Sequence, residues 1–547
     1  MKLFYKNIVF ILFCAIFLIL SLRGINGNPN ASELASGIWS EEGPFELSPE
    51  RGRFALLYSL VEDRSVFFSL DVARFALPDL GLKNGKYVSL FAPGVSLITI
   101  PGYLLGKIFG VAQVGTFFVI SVFAILNALL VKKIALRFST SEQTSTLAAF
   151  AFLFASPAYA YAVNLYQHHI STFLILTSVY LLLKREHILN DILVWFLFGI
   201  GILVDYPNIF LMLPLMIFML SRYVKHYSDI LGHKLQISIW KAVAVLGIII
   251  PIIIFARYNE KAYGSAFTLA GTVEHIREIN VHALPDRFGN LGKEEVVEPS
   301  SYEIRNPYEF FKTRNLLNGI YIHLISPDRG ILNFAPLILF SIVGVFELTR
   351  KKKTAALLVA IAGTNLMIYS MWGDPWGGWA FGSRYLIPAY AAISVFLAVA
   401  LEKFRRDKLF LLMVFMAFVY SFLINTLGAL TSSANPPKIE TGNLSLLSGH
   451  EEKYTYERNL DYLVSKGTKS YFYNRYLGDL LTPVQYFFLL TSVLVSVTAA
   501  TLVHIYTFKQ ENEVELVLKT QGSWKNIRIA FSLADKFRTT AKNMGLF

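Results

Sequence analysis

"APGVSLITIPGYLLGKIFG", Ala92 to Gly110, is apolar along its whole length yet carries Pro93 and Pro101. If this stretch crosses a bilayer, every later segment turns over; if it does not, the later basic clusters all fall on one side. Proline inside a helix removes a backbone donor and clashes with the preceding turn. Lys and Arg, moreover, belong in the cytoplasmic connections of a membrane protein. Both considerations argue against a span, and the stretch reads as an interfacial or re-entrant helix of an external loop.

The chain around it is built for lipid. Its 547 residues are 54% hydrophobic and only 16% charged, with a mean hydropathy of +0.49, too apolar for a soluble domain of this length. A bilayer core takes about 20 apolar residues per helix. Such runs recur after an N-terminal anchor, Phe4 to Leu22: Val114 to Val131, Ser145 to Val163, Ile170 to Leu183, Ile192 to Val204, Ile209 to Leu220 and Ala242 to Phe255. They continue with Ile331 to Phe346, Ala355 to Tyr369, Leu386 to Leu401, Leu409 to Leu430 and Tyr486 to Tyr506. The expected fold is an all-α polytopic membrane protein of about twelve spans.

With the N-terminus in the cytoplasm, Lys132, Lys133, Arg137, Lys184, Arg185, Arg222, Lys225, Lys234 and Lys241 all fall inside. So do Arg350 to Lys353, Lys403, Arg405, Arg406, Lys408 and the basic C-terminal tail. The organisation expected is an anchor (1–22), a first external loop with interfacial helices (23–110) and a multi-span domain (111–508). That domain carries external loops 257–330 and 431–484, and a cytoplasmic tail (509–547) follows it. The tail's "WKNIRIAFSLADKF" has the pattern of a basic amphipathic helix. The net charge of +12 therefore reflects topology and not a nucleic-acid surface. A single cysteine, Cys14, leaves no disulfide framework or thiolate metal cluster within one chain.

The polar residues that lipid does not explain share the external side. They lie in "YQHH" (Tyr166 to His169), "VDYPN" (Val204 to Asn208), "MWGDPWGGWAFGSRY" (Met371 to Tyr385) and the first loop. Ionisable residues of a transporter more often sit at mid-membrane between related halves. Placement at one face favours a reaction site at the outer surface, with a transporter or flippase for a lipid-linked or polar solute as the alternative. Two first-loop stretches carry an acid in the same setting: "ERGRFA" at Glu50 and "DVARFA" at Asp71, 21 residues later. Either acid also suits the first turn of a helix. Trp372, Trp376 and Trp379 suit an interfacial aromatic belt, but Gly373, Gly377, Gly378 and Gly382 suggest close backbone approach. Arg384, at the edge of a span, is the residue hardest to explain as packing.

These pieces in order resemble the membrane-embedded glycosyltransferases of the C-type fold, the superfamily of protein O-mannosyltransferases and aminoarabinose transferases. The resemblance runs through "KNGKYVSLFAPGVSLITIPGYLLG", "SPAYAYAVNLYQHHIST", "GILVDYPNI", "YNEKAYGSAF", "SPDRGILNFAP" and "WGGWAFGSRYLIP", from about Phe4 to Ala400. It implies a sugar donor linked to polyprenyl phosphate and a lipid, glycan or protein acceptor, in the cytoplasmic membrane with the active site external. It also implies direct inverting displacement with a first-loop carboxylate as base. The family's Asp-Glu-Ala-Arg-Tyr-like setting aligns on "ERGRFA", with Glu50 in the Asp position and Arg51 in that of the neighbouring acid. Asp71 is the second candidate. Where many relatives carry Asp-Lys, this chain has Leu90 and Phe91, so contacts to the carrier phosphate come from elsewhere. Arg384, Arg329 and Arg74 are the expected phosphate cations; Arg53, His168, Asp205 and Trp376 complete the expected donor and acceptor site. No cofactor is required, and a divalent metal is possible without support from ligand spacing.

Overall fold

A computed structural model describes residues 2–40, 42–184, 186–229, 232–285, 291–300, 306–349 and 353–507. The tail 509–547, expected from the sequence to hold an amphipathic helix, lies outside the described residues. The anchor is α1 (Lys2–Ser21). The first loop folds into α2 (Ala31–Leu34), α3 (Ser48–Val61), α4 (Leu70–Ala76), the hairpin β1 (Leu80–Lys83) and β2 (Lys86–Ser89), and α5 (Gly94–Ile108). Next come α6 (Ala112–Leu136), α7 (Glu142–Leu153), α8 (Ala158–Tyr161), α9 (His168–Leu182), α10 (Ile188–Val204), α11 (Asn208–Leu211) and α12 (Leu213–Ser221). The hairpin β3 (Val224–Asp229) and β4 (Gly232–Ile237) precedes α13 (Ile249–Tyr263). Strand β5 (Glu274–Ile276) adds antiparallel to β1, and β6 (Glu278–Pro285) pairs with β7 (Leu291–Ser300). The chain continues through α14 (Leu316–Leu324), α15 (Ile331–Phe334), α16 (Ser341–Thr349), α17 (Lys353–Ser370), α18 (Ile387–Lys403), α19 (Lys408–Leu430), α20 (Lys438–Ser448), α21 (Tyr456–Ser465) and a last helix, Pro483–Thr507.

Every apolar run is helical, but the expected length is not reached everywhere. Among the described residues six helices are long and apolar enough to cross a membrane: Ala112–Leu136, Trp240–Tyr263, Lys353–Ser370, Arg384–Lys403, Lys408–Leu430 and Pro483–Thr507. The other runs are shorter, and the breaks have causes. Ser145 to Val163 divides at Ser156-Pro157, Ile209 to Leu220 at Met212, two residues before Pro214, and Ile331 to Phe346 at Ala335-Pro336. The decisive stretch, α5, is 15 residues long and packs against the start of α6. Glycines let these two backbones meet: a Cβ on Gly102 would stand 2.4 Å from the Gly115 carbonyl oxygen.

α18 is the central helix, packed on α6, α7, α9, α16 and α17. The bundle has two chemically distinct ends. At one, basic residues meet acids: Lys132 with Glu142 at 2.9 Å, Lys403 with Glu347 at 2.8 Å and Arg405 with Glu402 at 3.2 Å. At the other, the first loop, the segment around Tyr166, the end of α10, the glycine-rich loop 371–385 and the loops after α19 and α21 converge. A 3₁₀ turn, Arg384–Leu386, leads into α18 and carries Arg384 into that convergence.

Candidate active site

Helix α3 starts at Ser48-Pro49, proline being at home in a first turn, and this sets Glu50 at the third helical position. One carboxylate oxygen, Oε2, accepts from the Leu47 N–H at 3.3 Å. The helix-start role read from the sequence therefore accounts for half of the group. The other oxygen, Oε1, is buried with no hydrogen-bond partner, and the residue is 0% exposed. Burial, reinforced by the charge of Glu46, pushes the Glu50 carboxyl up to about 7 against the pull of Arg23 and Lys469.

One turn on, Arg53 gives Nη1 to the Pro49 carbonyl at 2.7 Å and leaves Nε without a partner. Its guanidinium lies 4.6 Å from the Phe91 ring centroid and 5.9 Å from that of Tyr166. Phe91 thus gives this cation an aromatic face. Burial lowers the Arg53 guanidinium to about 10, with Asp205 and Tyr166 opposing, and it stays protonated at neutral pH. Arg384 approaches Tyr166 at 5.0 Å. It donates Nη2 to the Gly377 carbonyl at 2.6 Å, while Nε and Nη1 are buried and unpaired. Gly377 permits this approach: at φ +75 it occupies the left-handed region, and a Cβ there would lie 3.3 Å from Arg384 Nε.

An aromatic wall fixes these cations. The Tyr166 ring is stacked on His168 at 5.8 Å, Tyr161 meets both edge-on, and Tyr385 stacks on Tyr369 at 4.3 Å. The Tyr161 hydroxyl is committed, accepting from the Phe381 N–H at 2.9 Å. The Tyr166 hydroxyl and His168 Nε2 are buried without partners. Asp205, at the end of α10, accepts from Gln167 Nε2 at 3.2 Å, and burial raises its carboxyl above the usual range despite Arg53 and Arg384. Buried polar groups are nearly always satisfied in folded proteins. Here an acid oxygen, guanidinium donors from two helices, a phenol and an imidazole nitrogen remain open around one tyrosine, as a site for a polar, anionic ligand would require.

Of the other expected site residues, Asp71 and Arg74 stand away from the cluster, and Arg329 and Trp376 are tied into the loop beside it. Asp71 is in the first turn of α4, paired with Arg74 at 3.6 Å, and the two side chains are 44% and 35% exposed. Neither joins the cluster, because α4 turns its valine, alanines and phenylalanine inward. Arg329 is fully buried but chemically spent. It donates to the carbonyls of Trp376 (3.0 Å), Asp328 (2.7 Å), Gly378 (3.0 Å) and Asn435 (3.0 Å), which laces the glycine-rich loop to the segment after α19. Trp376 enters that lacing through its backbone carbonyl, and Trp379 gives Nε1 to Glu440 of α20 at 2.7 Å. The sequence reading left out Tyr166 and Tyr385, which lie in polar external turns, and Tyr161 and Tyr369, which lie at the ends of apolar runs. Among the described residues no three of His, Cys, Asp and Glu converge to hold a metal ion.

No protein-family model matches the sequence, and no curated protein matches it. Three solved structures do. ArnT from Cupriavidus metallidurans in the apo state is 14% identical over 92% of this chain and 78% of its own, with a TM-score of 0.45. The same protein bound to undecaprenyl phosphate is 11% identical over 91% and 77%, with a TM-score of 0.49. The archaeal oligosaccharyltransferase AglB from Archaeoglobus fulgidus, in complex with an inhibitory peptide and a dolichol-phosphate, is 11% identical over 84% and 60%, with a TM-score of 0.37. ArnT is an aminoarabinose transferase, one of the enzyme groups whose motifs the sequence resembles. At these identities and scores the likeness is one of outline, and the residue roles rest on the geometry above.

Proposed function

We propose that this protein is a membrane glycosyltransferase that moves a sugar from a polyprenyl-phosphate-linked donor to a hydroxyl of a lipid, glycan or protein acceptor at the outer membrane face. The observation that carries this reading is the unpartnered, fully buried Glu50 oxygen one turn before Arg53, with Arg53 and Arg384 sharing the Tyr166 ring and both keeping open guanidinium donors. In the proposed reaction the Glu50 carboxylate takes the acceptor hydroxyl proton as the hydroxyl oxygen attacks the anomeric carbon. The bond from that carbon to the phosphate oxygen breaks, and its electron pair leaves with the carrier phosphate. Configuration inverts in this single displacement. A positioned base contributes about 10²- to 10⁴-fold. Arg384 and Arg53 would meet the departing phosphate, for which a guanidinium fork is well shaped, and the tyrosine wall would present flat faces to the sugar. The burial of Glu50 suits this role, because a carboxyl held near neutral both accepts and returns a proton at working pH.

The test is transfer in membranes by Glu50→Gln and Asp71→Asn, side by side. Loss in the first with retention in the second is expected; full activity in Glu50→Gln sinks the base assignment.

A further inference from the structure

The Glu50 turn does not rest on the first loop alone. Glu46, one turn before it, is 5% exposed at its side chain and is gripped from two directions. Arg23 Nη1, just beyond α1, meets Glu46 Oε2 at 2.9 Å, and Lys469 Nζ, beyond α21, meets Oε1 at 2.7 Å. Ser433 adds its backbone N–H to Oε2 at 2.9 Å. Each partner is anchored in turn. Arg23 also donates to Ser433 Oγ and the Gly428 carbonyl, both at 2.9 Å. Lys469 donates Nζ to the Gly43 carbonyl at 2.8 Å and its backbone N–H to Leu430 at 2.8 Å. Segments more than 400 residues apart are thus closed around one carboxylate, and Arg23 and Lys469 hold Glu46 ionised, at about 2.

We propose that Lys469, carried by the last external loop, is a positioning residue for Glu50: with Arg23 it clamps Glu46 against the start of α3 and fixes the charge that the Glu50 carboxyl faces. This rests on the reading of Glu50 as the base. The groups that act on Glu50 are Arg23, Glu46 and Lys469, with Arg53 on its own helix and Tyr166 across the site. At the first turn of α3, Asp79 accepts from Ser48 Oγ at 2.5 Å, with His275 at 3.4 Å from its other oxygen. The remaining ionisable groups packed on α3 are engaged elsewhere. Asp71 and Arg74 of α4 pair with each other, Tyr103 and Lys107 of α5 hold Glu62 at the far end of α3, and Lys86 of β2 lies over Phe67. The clamp therefore combines two cations and one anion. Removing the lysine leaves Glu46 less compensated and the protonated form of Glu50 favoured; removing the Glu46 charge does the opposite.

The experiment uses the purified full chain and two readouts. One is the acid limb of the pH–rate profile of transfer. The other is labelling of Glu50 by dicyclohexylcarbodiimide, across whose C=N bond the protonated carboxyl adds, followed by peptide mass spectrometry across pH. Lys469→Met is expected to move both midpoints up by about one pH unit. Glu46→Gln should move them down, and Lys469→Arg should restore the wild-type values. An unmoved labelling midpoint in Lys469→Met overturns the proposal. If Lys469→Met does not yield folded protein, Glu46→Gln decides: a downward shift supports the clamp and an unmoved midpoint overturns it. Labelling reports Glu50 ionisation whether or not Glu50 is the base, so full transfer by Glu50→Gln would refute the catalytic reading without deciding the role of Lys469.

Discussion

The first loop contains the same six-residue pattern twice, and its two copies have opposite fates. In both "ERGRFA" and "DVARFA" the phenylalanine and the final alanine are buried, and Phe54 and Phe75 meet on Phe45 at 4.5 and 5.2 Å. The echo is thus a packing pattern, two helices sharing an aromatic core. The acids part company. Glu50 is sealed under the Glu46 clamp with one oxygen unpartnered, while Asp71 faces outward beside Arg74. An acid gains unusual chemistry from what closes over it.

The largest effect that would break this comparison is kinetic. Glu50→Gln should lower the transfer rate by about 10²- to 10⁴-fold with the fold intact, and Asp71→Asn should change it by less than about twofold, since a surface pair contributes little. A parallel contrast exists between arginines. Arg384→Lys removes open donors at the proposed phosphate position and should cost about 10²-fold in turnover. Arg329→Lys should act on stability instead. It leaves backbone carbonyls of three segments without donors, each worth about 1–3 kcal/mol when orphaned. Thermal unfolding of the detergent-solubilised protein separates the two, and equal loss of stability in both would erase the distinction.

Much of this was legible in the sequence. The membrane class was legible from hydropathy, and Pro93 and Pro101 marked Ala92 to Gly110 as a stretch apart, which folds as a 15-residue helix, shorter than the six long apolar ones. The gathering of Glu50, Arg53, His168, Asp205 and Arg384 was expected from the side their segments share and from the family resemblance. What could not be read is satisfaction. Arg329 and Arg384 are both arginines at helix boundaries, and only the fold reveals that backbone carbonyls from distant loops exhaust the first and leave the second open. Glu46 looked ordinary because its partners, Arg23 and Lys469, lie at the two ends of the chain. Arg23 did carry a signal, a cation directly after a span on the side that the positive-inside rule leaves poor in Lys and Arg.

The buried carboxyl also makes a prediction about stability. The Glu50 carboxyl is raised from its ordinary value of 4.5 to about 7, so the folded state holds a proton that the unfolded chain releases between those values. Stability must then fall as pH rises across that window, by on the order of 3 kcal/mol from this group. Glu50→Gln cannot ionise and should unfold at higher temperature than the parent at pH 8, with the advantage fading toward pH 4.5. A variant that is inactive yet more stable is the signature of a charge kept for chemistry.

The smallest effect tests the loop that presents Arg384. Gly377 has φ +75, and a Cβ there would approach the Tyr385 ring at 3.1 Å and Arg384 Nε at 3.3 Å. Gly373, four residues earlier in the same loop, lies outside the left-handed region, and its Cβ would meet nothing closer than 3.4 Å. Gly377→Ala should therefore cost about 1–2 kcal/mol in backbone strain and, by tilting the guanidinium, lower turnover by about tenfold with little change in the amount of folded protein. Gly373→Ala should do neither. If both alanines are tolerated alike, Arg384 reaches its position without Gly377, and the cation at Tyr166 is held by the turn that leads into α18.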